Sequence, residues 1–311
     1  MIAPERWRQH SGARPPVRFL QAVTLFSAYA MGAPWLNVWL DRRLPDRPGA
    51  LLVYEAAGLG LVFLLVAVWP GRDRGIAAGA VEPAERPRPL AAAGAALFLL
   101  GLSALVLRLV DPLYDDREFS LRSLETHAAL LTFFASLPLG VAAEELIFRA
   151  CQKRLRQALP RGASIAAVGL CFSLYHWAPG VALDRHLIET LVALFAGGLI
   201  LASVYERTRS VPLLVAIHLV YDLLAVAQAS LNVDRRAAAE AALFALWIGG
   251  SGWLAWQGRR AAVAGSVPGP ERAPSHATGR NEVRPMAWLA ALAFGGALPL
   301  ALAWLRLRRG F

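Results

Sequence analysis

The chain reads as all-α: a polytopic transmembrane bundle of about eight helices with a probable extra helix at its C-terminal end. Three observations predict this. Of the 311 residues, 57% are hydrophobic and only 17% are charged, whereas soluble domains average roughly 45–50% apolar and about 25% charged. The apolar residues also gather in blocks about as long as a helix needs to cross a bilayer. Short arginine-rich stretches separate these blocks, as the flanks of membrane spans do. Length alone would allow two soluble domains, but no segment between the blocks is long enough to build a water-soluble core.

Taken in order, the blocks lie at roughly 17–40, 50–69, 90–110, 128–150, 163–178, 187–205, 211–231, 238–256 and 286–305. Pro34 falls inside the first and predicts a kink or an early end. The fifth is short for a span, and Trp177-Ala178-Pro179-Gly180 closes it. Segments 70–89 and 257–285 are rich in Arg, Pro, Gly and Glu and read as linkers. The predicted organisation is N-terminal transmembrane helices over 1–124, a catalytic core over 125–232, a further transmembrane helix over 233–256, the linker 257–285, and a C-terminal transmembrane helix with an Arg-rich tail over 286–311. No internal repeat is visible, and the first block is too long for a signal peptide and lacks a small-residue cleavage site.

The net charge of +10 is almost all arginine. Because these arginines flank apolar blocks, bilayer topology and anionic headgroups account for them, and nucleic acid is not an expected partner. With the N terminus inside, the inner segments hold 20 Lys/Arg and the outer ones 12, which favours that orientation. Arg306, Arg308 and Arg309 dissent, since they would fall outside. The two cysteines, Cys151 and Cys171, lie in or beside apolar blocks and are expected to be buried and unpaired. The expected location is the inner (plasma) membrane of a bacterium, because the Ala and Arg content fits a GC-rich genome.

Ionisable groups inside apolar blocks are costly, at least about 2.5–3.5 kcal/mol at mid-bilayer, and each is a functional candidate. Block four carries Glu144, Glu145 and Arg149. Adjacent helical carboxylates point about 100° apart and cannot both face one spot. Glu145 and Arg149 have ion-pair spacing, which leaves Glu144 for chemistry; a solvated helix end is the plainer alternative. Block five carries His176 after Phe172. The turn at Pro160-Arg161-Gly162 makes blocks four and five an antiparallel pair, with Glu144 and His176 each about 16 residues from it and so at matching depth. Block seven carries His218 and Asp222, four residues apart on one helical face. Glu55 and Glu189 each stand alone in their blocks and read as polar contacts rather than catalysts.

These motifs, in this order, resemble the CPBP family of intramembrane proteases, also called the CAAX prenyl protease 2 or type II CAAX endopeptidase family. The matches are Glu144, Glu145 and Arg149; Phe172 and His176; His218 and Asp222, with Phe195-Ala196-Gly197-Gly198, Tyr205-Glu206-Arg207-Thr208 and Val211-Pro212 between them. The resemblance covers about residues 125–230. It implies about eight helices around a conical cavity and hydrolysis of a peptide bond near the C terminus of a membrane-associated protein or peptide. In the expected mechanism Glu144, assisted by His176, activates water; His218, positioned by Asp222, stabilises the oxyanion or protonates the leaving amine; Glu145 pairs with Arg149. Asp222 stands where many members carry asparagine. An ionised aspartate cannot donate a hydrogen bond, so it fits an orienting role better than an oxyanion role. No cofactor is required in this mechanism. A zinc alternative would use Glu144, His176 and His218, although no His-Glu-x-x-His helix is present. Expected partners are the substrate and the bilayer, within a protein-sorting or bacteriocin system. The rival readings are a non-catalytic immunity or scaffold protein of the same fold and a proton-coupled transporter.

Overall fold

The computed structural model describes residues 15–43, 49–68, 89–110, 127–177, 184–229 and 236–264, together with Ala301. Among these residues every regular element is α-helical: α1 (Pro15–Asp41), α2 (Ala50–Val68), α3 (Pro89–Val110), α4 (His127–Ala158), α5 (Arg161–Tyr175), α6 (Arg185–Thr208), α7 (Val211–Ala229) and α8 (Arg236–Ala264). The first eight apolar blocks correspond one to one with these helices. The ninth block falls outside the described residues apart from Ala301, as do most of the two predicted linkers. Two expectations need correction. Of the kink or early end expected at Pro34, the early end does not occur: α1 continues to Asp41, because a proline removes one ladder bond and neighbouring helices can hold the rest of the helix in place. The linker predicted from 257 starts later, since α8 runs to Ala264; Arg259, Arg260 and Ala261–Ala264 are good helix formers, and lower hydropathy there does not break a helix.

The stretches Leu131–Ala158 and Leu187–Thr208 are long and apolar enough to cross a membrane. α5 has 15 residues, about 22 Å at 1.5 Å per residue, and is shorter than the roughly 30 Å hydrocarbon layer. Large apolar side chains face outward on several helices, including Leu131 (72% exposed) on α4 and Leu246 (76%) on α8. Water would penalise such an exterior, whereas lipid suits it.

α4 is the organising element. It packs against α1, α2, α5, α6 and α7, while α3 lies mainly on α8 and also touches α6 and α7. The buried core gathers Leu25 and Phe26 of α1, Val62 of α2, Ile147 and Phe148 of α4, Val168 of α5, Ala202 of α6, and Leu214 and Ile217 of α7.

Tight turns fix how α4 to α7 meet. Leu159 and Pro160 link α4 to α5, with the Leu159 amide donating to the Leu155 carbonyl at 2.6 Å and the Ser164 amide to the Pro160 carbonyl at 2.9 Å. Asp184 caps α6 by accepting from the Leu187 amide at 2.8 Å. Arg209 ends α6 in the left-handed region at φ 52°, and Ser210 accepts from the Leu213 amide at 3.3 Å at the start of α7. α5 and α6 approach closely at paired glycines. A Cβ on Gly198 would lie 2.9 Å from the Gly169 Cα and 3.2 Å from the Phe172 Cβ. The Gly197-Gly198 pair singled out in the sequence therefore sets the position of the helix that delivers Phe172 and His176.

Candidate active site

The seven candidate residues come from three helices. α4 contributes Glu144, Glu145 and Arg149; α5 contributes Phe172 and, at its C-terminal cap, His176; α7 contributes His218 and Asp222. Their side chains meet in one place, in two parallel pairs.

The first pair is Glu144 with His176, whose Nε2 lies 3.7 Å from Glu144 Oε1. His176 Nδ1 is 2.8 Å from the Phe172 carbonyl. A carbonyl only accepts, so Nδ1 carries a proton, and Nε2 is the ring nitrogen turned toward the carboxylate. The side chains of Glu144 and His176 are 23% and 30% exposed, which leaves them open to a reactant.

The second pair is shut away. Glu145 is fully buried and its Oε2 accepts from Arg149 Nε at 3.0 Å. Its other oxygen, Oε1, takes His218 Nδ1–H at 2.9 Å. His218 Nε2 lies 3.6 Å from Asp222 Oδ1, beyond a good hydrogen bond. The expectation that Asp222 positions His218 is thus modified, because the shorter and buried contact comes from Glu145. The reason is rotational. Glu144 and Glu145 point to different sides of α4, as their 100° separation requires, and α5 and α7 lie on those two sides, so each carboxylate meets its own histidine.

Aromatic rings fill the space behind both pairs. The Phe172 ring is centred 4.7 Å from His176 and 5.8 Å from His218. Phe148 packs edge-on to Phe172 at 5.2 Å, and Phe26, Tyr29 and Tyr175 continue the cluster. These rings exclude water from one side and restrict the imidazoles.

Sequence reasoning read Glu55 as a polar contact and did not single out Tyr29. Glu55 of α2 rests on Gly140 of α4, where an added Cβ would lie 2.8 Å from Glu55 Oε2. Gly140 is one turn before Glu144, so Glu55 shares the face of α4 that carries Glu144. The Tyr29 ring stacks on Tyr175 at 5.8 Å, beside the rings that back His176. The signal for Glu55 was its isolation in an apolar helix; Tyr29 gave none. Cys151 and Cys171 are buried and unpaired, as expected.

Among the described residues no group of three or more His, Cys, Asp or Glu side chains is arranged to hold a metal ion. Glu144, His176 and His218, the set considered for zinc, do not form such a group; each histidine turns Nδ1 to an acceptor, His218 to Glu145 and His176 to a carbonyl, and keeps Nε2 as its other ring nitrogen.

Residues 126–224 match the family model described as Type II CAAX prenyl endopeptidase Rce1-like. This stretch is similar to the CAAX-type protease domain. No curated protein and no solved structure gives a significant match to the chain. The CAAX-protease-like match spans about a third of the length and contains all seven candidate residues. Glu55 and Tyr29 lie outside it, on helices that precede the domain and pack against α4. The family is membrane-embedded, in accord with the apolar helices of this chain.

Proposed function

We propose that the protein is an intramembrane endopeptidase that hydrolyses a peptide bond near the C terminus of a membrane-associated protein or peptide. The observation that carries this reading is the split between the two Glu–His pairs: one accessible, with Glu144 Oε1 and His176 Nε2 3.7 Å apart, and one buried and held by Arg149. A water molecule seated against both Glu144 Oε1 and His176 Nε2 can donate a hydrogen to each. Glu144 takes its proton as the oxygen attacks the scissile carbonyl, and His176 orients it. The tetrahedral oxyanion forms on the His218 side, where a protonated Nε2 donates to it. Collapse breaks the C–N bond, and the proton held by Glu144 passes to the leaving amine. Glu145 holds the His218 ring through Nδ1, and Asp222 borders its other edge.

This reading is favoured over a transporter because the two acidic groups meet two histidines in one pocket rather than forming a file of relay groups across the bundle. The test uses purified protein in nanodiscs. An internally quenched farnesyl-cysteine peptide, its unprenylated counterpart, and a membrane proteome searched for new C termini by mass spectrometry each serve as substrate. Cleavage in H₂¹⁸O should place one solvent oxygen in the new carboxyl group. Glu144→Gln should lower kcat by at least about a hundredfold, the scale of losing a general base. An unchanged rate in Glu144→Gln, or no new C termini in any arm, would defeat the proposal.

A further inference from the structure

The face of α4 that carries Glu145 continues past the site at helical spacing: Glu145, Arg149, Gln152, Arg156. It lies against a matching row on α6, where Ala202, Glu206 and Arg209 repeat at the same interval. Polar atoms join the two rows without a break. Arg149 Nη1 donates to Gln152 Oε1 at 2.6 Å. Gln152 Nε2 donates to the Ala202 carbonyl at 2.9 Å and to Glu206 Oε1 at 3.3 Å. Glu206 also takes Arg156 Nε at 3.2 Å and Arg209 Nη2 at 2.7 Å, at the turn into α7. Arg149 and Gln152 are fully buried, and the Glu206 side chain is 2% exposed.

The orientation of Gln152 follows from its neighbours. Flipped, its NH₂ would face a guanidinium and its oxygen would face a carbonyl and a carboxylate, so only one orientation is satisfied. Gln152 therefore holds Nη1 of Arg149, and that has a consequence at Glu145. An arginine left to itself tends to fork onto a carboxylate and bind both oxygens. Here Arg149 gives Glu145 one bond only, from Nε to Oε2, and its buried Nη2 has no hydrogen-bond partner among the described residues. The fork is unmade, and Oε1 remains available to His218.

We infer that Gln152 and Glu206 are positioning residues for the site: by holding Arg149 they keep it from forking onto Glu145 and so preserve the Glu145–His218 bond. The orphan Nη2 then has a physical reason. The Tyr-Glu-Arg-Thr stretch also gains a role, because its glutamate anchors the outer end of this chain at the α6–α7 turn.

The kinetic arm of the test rests on the endopeptidase reading; the labelling arm does not. Gln152→Met, Glu206→Gln and the double variant are prepared in nanodiscs beside wild type. Carbethoxylation of His218 and His176 is followed by mass spectrometry. In Gln152→Met, Arg149 is free to fork, His218 loses its acceptor, and its labelling should quicken by roughly fivefold or more. His176, tied to the Phe172 carbonyl and not to this chain, should stay within about twofold. The double variant should match the stronger single one, as expected for residues acting in series. With cleavable peptide, kcat should fall by about ten- to a hundredfold with KM unchanged, the scale of a misplaced catalytic group. Unchanged His218 labelling, equal quickening of both histidines, or multiplicative effects in the double variant would each overturn the inference. Because Glu206→Gln keeps size and a hydrogen-bonding oxygen, it tests the chain even if Gln152→Met fails to fold. His218 labelling in that variant should rise in the same direction, and an unchanged rate overturns the role of Glu206. Absence of cleavage by wild type would defeat the functional reading and leave the labelling result to decide this one.

Discussion

Replacing Arg149 with methionine removes a guanidinium from a place where neither it nor its partner touches solvent. Methionine fills much of the same volume, so the change is chiefly electrostatic. Glu145 would keep His218 but lose the charge 3.0 Å from Oε2. Breaking a buried ion pair from one side costs about 3–5 kcal/mol, because the remaining charge has no compensation. Gln152 Oε1 would also lose its donor, adding about 1 kcal/mol or more for an unsatisfied buried acceptor. Arg149→Met is therefore expected to lose on the order of 4 kcal/mol, measured by reversible denaturant unfolding in mixed micelles. The charge origin is checked by adding Glu145→Gln. Removing the stranded carboxylate should recover at least about 1 kcal/mol, a coupling typical of residues in direct contact. A loss in Arg149→Met within about 0.5 kcal/mol of wild type, as for a surface position, would refute the reasoning. So would a double variant whose loss equals the sum of the two single losses.

Four further outcomes are expected. Gly198→Ala places a Cβ against the Gly169 backbone, which cannot swing aside; it should cost about 1–3 kcal/mol and lower activity through α5. Gly249→Ala, with nothing within 4 Å among the described residues, should be neutral to stabilising, by up to about 1 kcal/mol, in the same unfolding assay. Proteolysis should survive exhaustive chelation, and loss with recovery on adding zinc would replace the glutamate mechanism with a metal-activated water. Truncation after Ala264 should preserve cleavage and insertion, since all candidate residues lie before α8; an inserted, folded and inactive product would place the tail in the active core.

Much of this architecture was legible in the sequence. Hydrophobicity in blocks is a local property, and a helix is the simplest way to satisfy its own backbone in lipid. Each of the first eight blocks accordingly became one helix. The Glu145–Arg149 pair was legible for the same reason: a spacing of four puts two side chains together on any helix, whatever surrounds it. Residue type also singled out Glu144, His176, His218 and Asp222, because ionisable groups in apolar helices are rare and costly.

The tertiary structure decided what lies between helices. Helical spacing and depth set Glu144 beside His176, and the resemblance set Asp222 as the support of His218. The rotation of α4 between α5 and α7 instead gave each glutamate its own histidine, and left Asp222 at 3.6 Å. No local rule specifies that rotation. It comes from packing, in particular from contacts such as Gly169 on Gly198 and Glu55 on Gly140. Gln152 shows the limit most clearly. As one neutral polar residue near a helix end it carries no signal in the sequence, and its hold on Arg149 exists only because Ala202 and Glu206 of another helix fix which way its amide points.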